Sequence, residues 1–127
     1  MSYLLDANVI INWLKGRPGA ASLIDGLARR QEVVAVNAVA IAEVYSGVAE
    51  GDVPRTQGVL EAFEYWTIDE ATARLAGQYR YRYARLGTPL SVTDMLMAAH
   101  TITRGATLVT GNVRDFPMPE LRLLRLP

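Results

Sequence analysis

Four acidic residues lie far apart in the sequence, each in a stretch that is otherwise largely apolar. Asp6 is the only charged side chain among the first fourteen residues, and Glu43 is the only one in residues 33–49. No other acid separates Asp94 from Asp115. An isolated carboxylate in apolar surroundings is costly, and carboxylates that share a site repel one another unless a divalent cation is present. The pattern predicts that the four meet and hold Mg²⁺ or Mn²⁺ for phosphodiester hydrolysis.

The sequence around these acids alternates between strand and helix patterns, which predicts a mainly parallel sheet covered by helices on both faces. The predicted strands are Ser2–Leu5, Val33–Val36, Tyr65–Ile68, Thr107–Val109 and, at an edge, Leu121–Leu126. The predicted helices are Ala7–Lys15, Ala20–Arg29, Ala38–Ala49, Val53–Phe63, Glu70–Leu86 and a last one that Ser91 or Thr93 opens and that ends near Thr103. No long linker or repeat divides the chain, so residues 1–127 are expected to form one domain.

The positions of the acids relative to these elements favour a shared site. Ligands of open α/β sheets bind beyond the C-terminal ends of the strands. Asp6 directly follows the first strand, and Asp115 follows the fourth by a short loop. Glu43 lies in the helix after the second strand, and Asp94 lies in the first turn of the helix before the fourth. All four can therefore face one crevice.

Each acid also has a purely structural interpretation that the spacing leaves open. Asp6 can cap the helix that follows it, and Asp94 follows Ser91 at the spacing of a capping box. Glu43 can be an exposed residue of a packed helix, and Asp115 can be a turn residue. Spacing alone makes a shared acidic site a hypothesis rather than a conclusion.

Composition limits the chemistry further. Half of the 127 residues are apolar and 20% are charged, which excludes a disordered chain. There is no cysteine and only one histidine, His100, so disulfides, zinc–thiolate centres and histidine-rich metal sites are excluded. The absence of cysteine, of a basic leader and of a long apolar segment fits a cytoplasmic protein. The formal net charge is zero, so a nucleic acid would need a local arginine patch.

Four segments carry a resemblance to a known family: Tyr3–Ile10, Ala40–Gly47, Thr93–Ala99 and Leu108–Phe116. In this order and at these separations they resemble the PIN-domain ribonucleases, most closely the VapC-type toxins of VapBC toxin–antitoxin pairs. The resemblance implies a three-layer α/β/α sandwich around a central, mainly parallel sheet of about five strands. It also implies an endoribonuclease that depends on Mg²⁺, or on Mn²⁺.

The resemblance assigns residues and partners as well. It implies that Asp6, Glu43, Asp94 and Asp115 are the acidic metal-binding and catalytic quartet. Polar positions near that pocket correspond to Asn8, Thr110 and Asn112. Asn112 stands where some members of the family have an acid, and Asp115 follows it in the same loop. Members of the family form homodimers and are neutralised by a separate VapB-type antitoxin, in heterotetramers or larger complexes.

Arginines interleaved with tyrosines in Tyr79–Arg85 have two interpretations. The stretch fits an amphipathic helix, which we favour, and it also fits contact with RNA through Arg82 and Arg85. Arg114, beside the fourth acid, is a further candidate for contact with RNA phosphate. The only histidine is six residues after Asp94, on a different face of the helix, and is predicted to be structural.

Two other functions compete with the ribonuclease. A non-catalytic PIN-like module that binds RNA or protein is the main alternative, although such a module has little reason to keep uncompensated carboxylates. An acyl-phosphate phosphatase with Asp6 as the nucleophile is less favoured. That chemistry needs a second acid two residues later, where this chain has Asn8, and a well-placed lysine, whereas the sole lysine is Lys15.

Overall fold

Five strands form a single sheet in a computed structural model that describes all 127 residues. The strands are β1 (Ser2–Leu5), β2 (Val33–Asn37), β3 (Glu64–Trp66), β4 (Thr107–Thr110) and β5 (Leu123–Arg125). Their spatial order is β3–β2–β1–β4–β5, and every neighbouring pair is parallel. The predicted parallel sheet of about five strands, with its last strand at an edge, is confirmed.

Six α-helices flank this sheet and complete the predicted α/β/α sandwich. They are α1 (Ala7–Leu14), α2 (Pro18–Arg29), α3 (Ala38–Tyr45), α4 (Val53–Leu60), α5 (Glu70–Arg85) and α6 (Val92–Thr103). Single turns of 3-10 helix occupy Glu50–Asp52 and Val113–Asp115. No helix has the length and apolar character that a bilayer crossing requires.

The strand order explains where a site can form. From β1 the chain moves outward to β2 and β3 on one side, and β4 and β5 lie on the other side. The connections therefore diverge at β1 and β4, which pair directly with each other. Such a switch point leaves an opening beyond the C-terminal ends of the two strands, where α/β proteins bind ligands. Asp6 and Thr110 stand at those two ends.

Side-chain caps fix the starts of α3, α5 and α6. The Asn37 side chain accepts a hydrogen bond from the Ala40 amide at 3.0 Å, and the Asp69 side chain accepts one from Thr72 at 2.8 Å. Ser91, rather than Thr93, caps α6. These caps satisfy amide groups that a helix leaves unpaired at its N-terminus, which is why short polar residues mark helix starts in the sequence.

Two predicted helices extend too far. The helix predicted to reach Ala49 ends at Tyr45, where the hydroxyl of Ser46 donates to the Glu43 carbonyl at 2.6 Å and competes with further helical bonding. The helix predicted to reach Phe63 ends at Leu60. The other boundaries agree to within two residues.

The spacing of Leu75, Tyr79, Tyr83 and Leu86 in the sequence predicts an apolar stripe along α5, and this prediction is partly wrong. Tyr79 is buried and Leu75 and Tyr83 are half-buried, but the side chain of Leu86 is 70% exposed. Leu86 is the C-cap residue, and Gly87 follows it with a φ of 84°, so the chain turns away before the stripe can continue. The C-terminal end of α5 is therefore exposed to solvent.

The core supports β1 and α6, the two elements that carry Asp6 and Asp94. Leu4 and Leu5 of β1 are fully buried, as are Met95 and Ala98 of α6. Burial of a large apolar side chain stabilises the fold by roughly 1.5–3 kcal/mol. Asp6 and Asp94 therefore project from rigid, well-packed elements rather than from free loops.

A candidate metal and active site

Asp6 is at the centre of the candidate site. It is only 5% exposed, yet no cation pairs with it, since the structure contains two ion pairs and both involve other residues. Its Oδ1 accepts a hydrogen bond from the Ala7 amide at 2.9 Å, so Asp6 does cap α1. Its backbone amide donates to the Val109 carbonyl at 2.9 Å, which ties the residue to the end of β4. The capping interpretation and the site interpretation therefore both apply.

Thr110 holds the second oxygen of Asp6. Its fully buried hydroxyl donates to Asp6 Oδ2 at 2.8 Å. The same hydroxyl oxygen accepts a hydrogen bond from the Asn112 amide at 3.0 Å. The Thr110 hydroxyl has a single proton, which it donates to Asp6, and one of its lone pairs accepts from the Asn112 amide. These two bonds together fix the orientation of the hydroxyl. Thr110 thus joins β4, the loop after it and the first acid.

Asn8 completes this network from the first turn of α1. Its side-chain amide donates to Asp6 Oδ2 at 3.2 Å, and its carbonyl oxygen accepts from the Gly111 amide at 2.9 Å. A Cβ atom at Gly111 would lie 3.4 Å from that carbonyl oxygen, at the short limit of ordinary contact, so the loop packs closely against Asn8. The sequence singled out Asn8 and Thr110 but missed Gly111, whose only signal was its position directly after a strand.

Asp94 approaches from the first turn of α6 and is half-buried. Its backbone amide donates to the Ser91 hydroxyl at 3.1 Å, so Ser91 caps the helix and the Asp94 carboxylate is not needed for capping. Burial raises the pKa of Asp94 above its ordinary value, and the negative charges of Asp115 and Asp6 raise it further, while a hydrogen bond from Ser91 partly offsets these effects.

Glu43 extends toward the same region from the middle of α3. Its side chain is exposed, and the loss of some hydration raises its pKa, as do the charges of Asp6 and Asp94. The hydroxyl of Thr93 lowers this pKa by a smaller amount, a neighbour that sequence reasoning did not identify as part of the site. Exposure leaves Glu43 the freest of the four acids to move.

Asp115 lies in the 3-10 turn after β4 and is half-buried. Its charge raises the pKa values of both Asp6 and Asp94, so it stands within electrostatic reach of both. The pKa of Asp6 itself is raised mainly by burial, against the lowering effect of its hydrogen bonds. The exposed Asn112 directly precedes this turn, and the exposed Arg114 lies within it and pairs with no acid.

The four acids therefore form one electrostatic cluster. Each of them interacts through its charge with at least two others, and no arginine or lysine neutralises any of them. In this conformation no three carboxylate or imidazole groups stand close enough together to hold a metal ion. The donors present are carboxylate, hydroxyl and amide oxygens, the set that Mg²⁺ and Mn²⁺ prefer. In charge and in donor chemistry, the cluster fits a hard divalent cation.

A cleft beside Glu43 brings together two basic residues that sequence reasoning missed. It has a volume of about 420 Å³ and lies between α1, α3 and α4. Lys15 and Arg55 both line it, and Arg55 donates to the Leu14 carbonyl at 2.8 Å. These two basic residues are distant in sequence, and only the packing of the helices brings them to one wall.

The remaining predicted residues lie outside the cluster. Arg82 and Arg85 are exposed on α5, with their guanidinium groups 5.4 Å and 4.4 Å from the rings of Tyr79 and Tyr81 respectively. His100 is buried, its Nδ1 lies 2.9 Å from the side-chain nitrogen of Asn37, and its ring packs edge-on against Trp66. Its surroundings agree with the predicted structural role.

Comparison with known proteins agrees with this fold. Residues 3–117 match the family described as the PIN domain, so the chain belongs to the PIN-domain family. Among its relatives, Ribonuclease VapC19 of Mycobacterium tuberculosis is 32% identical over 120 residues, covering 94% of this chain and 96% of that protein. The tRNA(fMet)-specific endonuclease VapC of Shigella flexneri is 31% identical over 121 residues, covering 91% and 90%. The family resemblance found in the sequence is confirmed.

Solved structures share the architecture. VapBC2 from Rickettsia felis, bound to a DNA fragment from its promoter, contains a chain that superposes with a TM-score of 0.86 at 23% identity, with complete coverage of both chains. A DNA-bound VapBC from Salmonella typhimurium superposes with a TM-score of 0.84 at 24% identity. At this level of identity the likeness establishes the fold.

Proposed function

We propose that this protein is a metal-dependent endoribonuclease that acts as the toxin of a toxin–antitoxin pair. The observation that carries the proposal is the cluster of Asp6, Glu43, Asp94 and Asp115, whose charges oppose one another and have no basic partner. A fold does not keep such repulsion without a compensating ligand. Membership of the PIN-domain family and relatives named as ribonucleases support the choice of ligand and substrate class.

The chain's own residues divide the work. Asp6, Asp94, Glu43 and Asp115 would hold Mg²⁺ or Mn²⁺, which when bound lowers the pKa of water and offsets the charge that develops on phosphate. Thr110 and Asn8 fix both the position and the orientation of the Asp6 carboxylate through hydrogen bonds at 2.8 and 3.2 Å. Glu43, the most exposed of the four acids, has the freedom to adjust when the cation and substrate enter.

Hydrolysis then needs no covalent protein intermediate. A water molecule attacks the scissile phosphorus, one P–O bond forms and another breaks, and the leaving oxygen takes up a proton from solvent. A carboxylate that lies beside the attacking water can accept its proton as a general base. The acids therefore serve as metal ligands first and as proton acceptors second.

The direct test is the Asp94→Asn variant. The substitution preserves the size of the side chain and the Ser91 cap, which involves only the backbone amide of residue 94. We expect RNA cleavage by the purified variant to fall by more than the roughly 100-fold that loss of a residue behind a metal ligand can cost. Circular dichroism should stay that of the wild type. Full cleavage by a variant freed of host nucleases would overturn the assignment of this site.

Metal binding separates this proposal from a non-catalytic PIN-like module. Calorimetric titration with Mn²⁺ should give saturable binding by the wild type and much weaker binding by Asp94→Asn. A wild-type protein that binds no Mn²⁺ at millimolar concentration, and that cuts no RNA, would favour the non-catalytic module instead.

The partner is proposed on the same grounds. Structures of VapBC complexes share this fold, and the acidic cluster has no cation within its own chain. A VapB-type antitoxin can supply that cation, because a guanidinium pairs bidentately with carboxylates. We expect the protein to form a homodimer. We also expect an antitoxin, encoded by a neighbouring reading frame, to neutralise it. Co-expression of the antitoxin should restore the growth that the toxin alone arrests. Expression of Asp94→Asn without the antitoxin should not arrest growth.

A further inference from the structure

The exposed end of α5 carries a surface that the acidic site does not explain. Tyr81 is 63% exposed, and the guanidinium of Arg85 lies 4.4 Å from the centre of its ring. Arg80 lines one side of this pair, in an open depression that also includes Arg85. We name these three residues, Arg80, Tyr81 and Arg85, the tyrosine–arginine ridge.

The ridge concentrates positive charge in a protein whose net charge is zero. The helix that bears it contains four arginines and a single acid, Glu70. Glu70 pairs only with Arg74, at 3.9 Å, and both side chains are largely exposed, so this pair contributes little. The arginines of the ridge have no acidic partner. They are free to meet an anion.

The ridge also reaches the start of α6, the helix that carries Asp94. Val92, at the start of α6, lines the same depression as Arg80, Tyr81 and Arg85, and it is two residues before Asp94. Residues two apart on a helix point to opposite sides, so a strand of nucleic acid that leaves the acidic cluster would pass around the first turn of α6 to reach the ridge. On the far side of Tyr81, a second depression is lined by Arg74 and Arg82. Positive charge thus flanks the exposed ring on both sides.

We propose that the tyrosine–arginine ridge binds unpaired RNA of the substrate, with one base stacked on Tyr81 and phosphates on Arg80 and Arg85; this rests on the proposed ribonuclease function. An exposed aromatic ring among arginines suits a single strand, because its bases are free to stack while its phosphates are neutralised. Pairing the ridge with a second copy of this chain across a two-fold axis would bring arginines against arginines, which is unfavourable.

Binding is tested without cleavage, in the Asp94→Asn background, by fluorescence anisotropy with a labelled uridine decamer. Tyr81→Ala should weaken binding by about 5- to 150-fold, the range that loss of one stacked base produces. Tyr81→Phe keeps the ring and should bind within about twofold of its parent. Calorimetry should give the same Mn²⁺ affinity for Tyr81→Ala and for the wild type, both with Asp94 unchanged. This equality would show that the substitution leaves the acidic site intact.

Charge is tested separately through salt dependence. The Arg80→Gln, Arg85→Gln double variant should reduce the slope of log affinity against log salt by about 1.4, since each phosphate contact to a single strand contributes about 0.7. The matched control is Arg29→Gln, an exposed arginine at the end of α2, which should leave the slope unchanged. Equal slopes for the double variant and its parent would overturn the phosphate contacts.

The outcomes also distinguish RNA binding by the ridge from a role in protein association. A ridge that serves a protein interface would give unchanged RNA affinity in Tyr81→Ala with a changed oligomeric state in light scattering, and this result overturns the proposal. If the ridge variants bind RNA poorly but the wild type never cleaves RNA, the ribonuclease assignment fails while RNA binding by the ridge stands. If cleavage is normal and Tyr81→Ala binds like its parent, only the ridge proposal fails.

Discussion

Replacing Thr110 by valine removes one hydroxyl from the centre of the site without changing the shape of the side chain. The hydroxyl donates to Asp6 at 2.8 Å, and it accepts from the Asn112 amide at 3.0 Å. Thr110 is fully buried, so no solvent can replace these bonds without a rearrangement. The substitution therefore tests whether the orientation of Asp6, rather than its mere presence, makes the site work.

The size of the effect follows from these contacts. Loss of a hydrogen bond to a charged acceptor costs about 1.5–3 kcal/mol when the acceptor stays charged. Hydrogen-bond partners that orient metal ligands typically contribute about 10- to 100-fold to metal affinity or activity. The Thr110 hydroxyl also lowers the pKa of Asp6, so its removal should raise that pKa further and favour the protonated acid, which binds no cation.

The assay is calorimetric titration of Mn²⁺ at pH 7, with RNA cleavage measured in parallel. We expect Thr110→Val to weaken Mn²⁺ binding about 10- to 100-fold and to slow cleavage by a similar factor. Thr110→Ser is the matched control, because it keeps the hydroxyl and loses one buried methyl group, which costs about 0.8 kcal/mol of stability. Its Mn²⁺ affinity should stay within a few fold of the wild type.

Two results would refute this reasoning. Wild-type Mn²⁺ affinity in Thr110→Val would show that the hydroxyl does not orient a metal ligand. An equal loss in Thr110→Ser and Thr110→Val would show that packing, and not the hydrogen bond to Asp6, determines the affinity. Thermal denaturation of both variants distinguishes a local change from general unfolding.

Three further predictions concern stability. Because the pKa values of Asp6, Glu43 and Asp94 are raised, these groups stabilise the metal-free fold most in their protonated forms, and that stabilisation is lost as pH rises through the raised pKa values. Asn mimics the protonated acid, so Asp94→Asn should melt at a higher temperature than the wild type in EDTA at pH 7. The difference in melting temperature should shrink toward pH 4. Burial lowers the pKa of His100, so its contribution to stability is complete above its unfolded pKa of about 6.5 and is lost as pH falls through the lower folded value. In urea denaturation, the stability of the wild type relative to His100→Phe should therefore decrease between pH 7 and pH 5.5, whatever the shared effect of the carboxylates on both proteins. Asn37→Ala removes a helix cap and leaves a buried ring nitrogen unpaired, and should cost about 2–4 kcal/mol in the same experiment, whereas an unchanged unfolding midpoint would show that neither bond matters.

Local chemistry made parts of this structure predictable from sequence. Asn37, Asp69 and Ser91 cap helices because short polar side chains at helix starts satisfy free amides, a requirement that does not depend on the rest of the fold. Strand β1 ends at the first charged residue, Asp6, because a charge cannot continue a buried strand. Asp6, Asp94 and Asp115, which the sequence placed at the C-terminal ends of the strands, lie near enough for the charge of Asp115 to raise the pKa values of the other two.

Long-range features depend on contacts that no local pattern encodes. The bond between Asn8 and the Gly111 amide joins residues 103 positions apart, and the cleft with Lys15 and Arg55 arises only when three helices pack. The order of the strands fixes both, and periodicity carries no information about strand order. The exposure of Leu86 was mispredicted because helical spacing was extended past the residue where the chain turns.

The hydrogen bond between Thr110 and Asp6 has a consequence for synthesis of the protein. It joins residues 104 positions apart, so the first acid of the site is made 104 residues before the group that orients it. β1 cannot pair with β4 until β4 has left the ribosome, since the two strands are the first and fourth of the chain. A nascent chain therefore carries no oriented Asp6 until β4 has emerged, and the ribosome that makes this protein is not exposed to the assembled site before that point.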